Sequence, residues 1–208
     1  MTARALRILC FFILILNFTA IRAQDSTISV HFLYGSKAKI KYKAEEPQWF
    51  GGKLGGHVGI EYDSNSVVDF VPSGDFHVFG KKDDRHSQFA LHTTQRFWEI
   101  FGSPEDSVKQ ATVVIPVSLE QQIELDSFII QYRNNTPYDY AFFGMRCGAA
   151  AYDLLSKIDI VKPYPYKKTS CKIFYPAKLR KALFRMAERE NWEVIRQEGT
   201  ERRKWERD

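Results

Sequence analysis

From residue 28 to residue 34 the chain alternates between apolar and polar side chains, with Ile28, Val30, Phe32 and Tyr34 on one side of a period-two pattern. That spacing, rich in β-branched and aromatic residues, predicts a strand over 29–34, closed by Gly35-Ser36. Ile40 and Tyr42 alternate within the basic segment 37–43, which reads as a second strand or an exposed edge. His57 to Tyr62 predicts a strand, Asp63 to Ser66 a turn, and Val67 to Val71 the returning strand. The segment 72–92 reads as loop and short strand, with a solvated charged turn at 81–85. Thr94 to Phe101 predicts a short helix carrying Phe97 and Trp98, and Thr112 to Val117 a buried strand.

Helices dominate the second half. Ser118 followed by Gln121 is a capping box, and the helix behind it is expected to bury Leu119, Ile123, Phe128 and Ile129 before ending at Asn134-Asn135. A second helix opens at or beside Cys147, where Gly148, Ala149, Ala150 and Ala151 let the first turn pack closely and Leu154, Leu155 and Ile158 form the buried stripe. An aromatic-proline loop follows at 163–166. Pro176 opens a third helix, to Glu188, basic on its exposed face, and Trp192 to Gln197 predicts a last strand before a charged tail at 200–208. Strands and helices without repeats or a low-complexity linker define an α+β fold in one domain.

Composition changes this picture at the N-terminus. Arg4 and Arg7 precede an apolar run from Ile8 to Phe18, and Ala23 stands at a suitable cleavage point, so residues 1–23 read as a secretory signal peptide and 24–208 as the domain. The expected location is secreted or periplasmic, with no membrane span once the signal is removed. The signal holds Arg4, Arg7 and Arg22 and no acid, so its loss takes three from the net charge of +5. The remaining charge is small, and no nucleic-acid partner is expected.

Of the three cysteines, Cys147 and Cys171 lie in the domain. In an oxidising compartment the two could pair as a disulfide. A thiol at a helix N-terminus, however, meets unpaired backbone N–H groups and the positive end of the helix dipole, and both favour thiolate over thiol. Arg146 adds positive charge. Cys147 is therefore a candidate nucleophile, which needs an imidazole as base and a polar group to orient it. Among five histidines, His57 is best placed, at a strand start beside the glycine-rich segment 48–56. Asp69 and Glu61 both qualify as orienter. An odd-numbered turn pairs 61 with 69 and puts Asp69 on the His57 face, whereas an even-numbered turn pairs 60 with 69 and points it away. No HExxH, no CxxC and no close pair of histidines occurs, so no metal and no cofactor is expected.

The GGHVGI segment (Gly55 to Ile60), the VVDF strand (Val67 to Phe70) and the late helix RCGAAAYDLL (Arg146 to Leu155) together resemble the circularly permuted branch of the NlpC-type papain-like hydrolases. That branch includes the lecithin:retinol acyltransferase group. The resemblance covers roughly 29–157 and implies a papain-like antiparallel sheet packed against helices. It also implies Cys147 as nucleophile, His57 as base and Asp69 as orienter. Arginine stands before the cysteine where asparagine is frequent, and the third position is acidic where many members carry histidine or another polar residue. Trp49, Tyr138 and Tyr140 are candidate substrate-binding residues, the two tyrosines equally readable as packing aromatics. The expected activity is hydrolysis of an amide or peptide bond through an acyl-enzyme, with a peptidoglycan-type peptide as substrate. The alternatives are a thiol acyltransferase or lipid acyl hydrolase with an acyl substrate, and a non-catalytic envelope binding module with a Cys147–Cys171 disulfide.

Overall fold

The alternating segment becomes β1 (Ser26–Leu33), near the middle of a six-stranded antiparallel sheet. The computed structural model describes residues 26–35, 56–102 and 108–199. The expected signal peptide, the basic segment 37–43, Trp49 and the charged tail lie outside the described residues. The other strands of the sheet are β2 (His57–Glu61), β3 (Ser66–Pro72), β5 (Ser87–Thr93), β6 (Gln110–Val117) and β8 (Glu193–Gln197), in the order β5-β3-β2-β1-β6-β8. Five helices are seen among the described residues: α1 (Thr94–Phe101), α2 (Leu119–Asn134), α3 (Cys147–Lys157), α4 (Tyr166–Lys172) and α5 (Pro176–Glu190). The architecture is α+β, as the alternation and the helical stretches predict.

The sheet is covered on both faces, and period two decides which residues go where. Ile28, Val30, Phe32, Val58, Ile60, Val68 and Phe70 enter the main core with α2, α3 and α5. Each such side chain, fully buried, contributes about 1.5–3 kcal/mol of transfer free energy. The opposite face carries Leu33, Val67 and Val71, under Phe97, Ile100 and Phe101 of α1. Gly59 lies on this second face, where an added Cβ would stand 2.7 Å from the Phe97 ring. The glycine of the HVG segment is what lets that ring lie directly on the sheet.

The β2–β3 register is Gly59↔Asp69 and Glu61↔Val67. Residue 69 thus pairs with 59, not with 61 or 60 as the turn-length alternatives had it. The parity is that of an odd turn, so Asp69 does share the His57 face. The Ser118 capping box forms as predicted, Gln121 N–H donating to Ser118 Oγ at 3.1 Å and Ser118 N–H to Gln121 Oε1 at 3.0 Å.

The buried face of α2 differs from expectation. Leu125, Ile129 and Tyr132 go inward, while Leu119 and Ile123 are exposed. The helix carries two apolar stripes on opposite sides, and the sheet can take only one. α4 and β7 (Ala141–Phe143) escape the sequence pattern; β7 forms a small parallel pair with β4 (His77–Phe79), which lies within the segment 72–92 read as loop and short strand. Three-residue strands are too short to display a period. Among the described residues no helix is long and apolar enough to cross a membrane.

Candidate active site

Helix α3 opens at Cys147, with Arg146 as N-cap and no side-chain cap bond. Its small residues do what their size allows: a Cβ at Gly148 would stand 3.1 Å from the Pro176 backbone, so the start of α3 abuts the start of α5. The helix lies across β2 and β3. Cys147 is thereby brought beside His57, the first residue of β2.

The imidazole sits between two partners. Its Nε2 is 2.5 Å from Asp69 Oδ2, and both side chains are buried. Burial by itself lowers the His57 pKa. The Asp69 carboxylate and then the Cys147 side chain, each through hydrogen bonding and charge, outweigh it and raise the pKa from 6.5 to about 9. Nδ1, the remaining ring nitrogen, is buried and has no well-aligned hydrogen-bond partner. The Cys147 side chain is therefore a close neighbour rather than a well-directed partner.

Asp69 carries a second imidazole. His92 Nε2 lies 3.2 Å from Asp69 Oδ1, so one carboxylate bridges two histidines. Burial pushes the Asp69 pKa up, His57 and His92 pull it down, and the pull prevails. His92 stands out in the sequence only through the alternation of β5, which puts it opposite Val67 once the register is known. Glu61, the other candidate orienter, is engaged elsewhere. It pairs with His31 Nε2 at 2.9 Å and accepts from Thr94 Oγ1 at 2.9 Å. Phe101 stacks on the His57 ring with centroids 4.1 Å apart, fixing its plane from the α1 side.

The two tyrosines separate. The Tyr140 hydroxyl interacts with both the side chain and the backbone N–H of Cys147, and its pKa is driven well up, first by burial and then by the charge of Cys147. Tyr138 is buried among aromatic rings, with its hydroxyl 3.4 Å from Asp153 Oδ2. It is a packing residue, and Trp49 lies outside the described residues. The Arg146 guanidinium is engaged by other partners. It donates to the Phe174 carbonyl and lies 4.0 Å from the Phe174 ring centroid, between Phe142 and Tyr175. Beside it the surface is apolar, with Phe79, Phe142 and Phe143 exposed.

Cys147 and Cys171 are both free thiols, the first buried and the second exposed. The disulfide of the binding-module alternative is not formed. Nor are the histidines all distant from one another. His77 and His86, nine positions apart, stack with ring centroids 4.7 Å apart, close to Asp84. Compared with protein-family models, curated proteins and solved structures, the chain gives no match.

Proposed function

We propose that the protein is a papain-like cysteine hydrolase with the circularly permuted NlpC-type order of motifs, acting outside the cytoplasm on an amide bond of a peptidoglycan-type peptide. The observation that carries this reading is the buried His57 imidazole, held at Nε2 by Asp69 and left open at Nδ1 on the side available to Cys147. The order of histidine strand, carboxylate strand and late cysteine helix supports the permuted arrangement. The signal-like N-terminus supports a secreted or periplasmic location.

In this reading the proton of Cys147 already rests on His57, whose raised pKa keeps it there below about 9, and the sulfur of this thiolate–imidazolium pair attacks the scissile carbonyl carbon. The imidazolium is stabilised by Asp69, in keeping with the raised pKa. The negative oxygen of the tetrahedral intermediate takes the place of the Tyr140 oxygen on the Cys147 backbone N–H at the start of α3, and the Tyr140 hydroxyl, which burial keeps protonated, turns to donate to it as well. Collapse breaks the C–N bond, and the imidazolium proton passes to the leaving amine. Water then attacks the thioester, giving its proton to Nδ1 and releasing the acid and the thiol.

Hydrolysis of peptidoglycan fragments by the wild type and by Cys147→Ala tests the proposal. Loss of activity in the variant is expected, and equal rates would end the reading. One observation favours a second substrate class on the same machinery. The exposed apolar surface of Phe79, Phe142 and Phe143 next to Arg146 suits an acyl chain. Incubation with acyl esters, followed by intact mass measurement of Cys147, separates a lipid acyl hydrolase or acyltransferase from a peptidase.

A further inference from the structure

Away from the cysteine, His77 at the start of β4 meets Asp84 and His86 of the loop between β4 and β5, so that one ring nitrogen of each histidine and a carboxylate oxygen lie within 4.8 Å of one another. We propose that these three residues form a binding site for a borderline divalent cation of the zinc type, which closes the β4–β5 loop onto the start of β4.

Four observations carry the proposal. First, the ligand set is two imidazoles and a carboxylate, the donors such a cation takes, with a fourth position open to water. Second, His77 is oriented for the task. Its Nδ1 lies 2.6 Å from Asp139 Oδ2, which leaves Nε2 facing Asp84 at 3.9 Å. A carboxylate behind a histidine is the arrangement that fixes the tautomer and strengthens the donor at metal centres. Third, His86 has one usable nitrogen. Nδ1 is buried and unpartnered, the ring lies against Gly74, and Nε2 faces Asp84 Oδ1 at 3.1 Å. Fourth, the support is rigid. Asp139 is buried and also accepts from the backbone N–H groups of Lys81, at 3.0 Å, and His86, at 2.9 Å. One carboxylate thus ties both ends of the loop to the strand–helix segment that ends at Cys147.

Tetrahedral coordination at zinc–ligand distances places donor atoms about 3.4 Å apart, so the cluster must contract modestly on binding. Lys81 Nζ now holds Asp84 Oδ2 at 2.6 Å. Both side chains are about half exposed, and a surface pair of this kind is weak against a metal–ligand bond. The site does not depend on the proposed cysteine chemistry.

The test uses the untagged full chain with all three cysteines changed to serine, so that thiols cannot bind the metal. Calorimetric titration with Zn2+ is expected to give one equivalent, and Co2+ the visible absorption of a tetrahedral site. Mg2+ gives no heat. His77→Gln and His86→Gln each abolish the binding, and Asp139→Asn weakens it about 10- to 100-fold while leaving every ligand in place. Histidine NMR on the unaltered background guards against a variant that fails to fold. There Zn2+ is expected to move the His77 and His86 imidazole signals and leave His31, His57 and His92 in place. No binding, or binding that shifts the other histidines instead, overturns the proposal whatever the fate of the hydrolase reading.

Discussion

His57 and Asp69 meet across β2 and β3 with Nε2 and Oδ2 2.5 Å apart, both side chains almost entirely removed from solvent. Their residues are not directly paired in the ladder, where Asp69 stands opposite Gly59. The contact runs diagonally, to the neighbouring position on the same face, a reach long side chains manage. From this pair, and from the elements that hold it, measurable consequences follow.

The His57 imidazole is expected to titrate at about 9, because Asp69 and Cys147 together overcome the effect of burial. Asp69→Asn removes the larger attraction and leaves burial, so the midpoint falls. NMR titration of the ring checks both. If the hydrolase reading holds, the alkaline limb of kcat/KM moves in the same direction.

Stability responds to pH with a definite sign. The folded pKa of His57 is raised, so its contribution is complete below 6.5 and is lost as pH climbs through about 9. Asp69 is lowered, so its contribution is present above 3.8 and is lost as pH falls through its folded value. Between pH 6.5 and 9, denaturant midpoints should decline as pH rises, with a slope from this one histidine no steeper than about 1.4 kcal/mol per pH unit. Asp69→Asn should flatten the slope. A variant that keeps the wild-type slope would show that another group causes it.

Gly59→Ala places a methyl group against a fully buried Phe97 ring and the Val67 side chain. A cost of about 1–3 kcal/mol is expected from the forced repacking. Phe97→Leu in the same chain should recover part of it, giving a favourable coupling energy in a double-mutant cycle.

Ser118→Ala removes the acceptor for the Gln121 N–H and frees the reciprocal bond. Loss of about 1 kcal/mol is expected, with no change in activity, since α2 begins far from Cys147 in sequence and contributes no residue to the site. Thermal or chemical unfolding measures it.

Cys171 should react with a bulky thiol reagent in the native protein faster than the buried Cys147, with both reacting on unfolding. Mass mapping of the adducts distinguishes them. A native protein that offers neither thiol would restore the disulfide.

Much of the fold was legible before any coordinates. The period-two runs located β1, β2 and β3, Thr94–Phe101 was a helix to the residue, and Ser118/Gln121 announced α2. These signals are local: a strand or cap needs only the few residues that make it. The inward face of α2 was misjudged because two apolar stripes compete there, and nothing local says which one meets the sheet. β7 and α4 were missed, and β4 was not placed within 72–92, for the same reason. They are short, and distant partners hold them.

The amino-acid order alone determined most of the longer elements, the placing of a cysteine at a helix start and of a histidine at a strand start, and a choice of two carboxylates. Only the tertiary structure decided that Asp69 and not Glu61 faces His57, that His92 joins the same carboxylate, and that His77 and His86 stack. The physical reason is that each of these relations depends on register and on packing between segments far apart in sequence. A shift of one residue in a β ladder turns every side chain to the opposite face, and no short window of sequence encodes that shift.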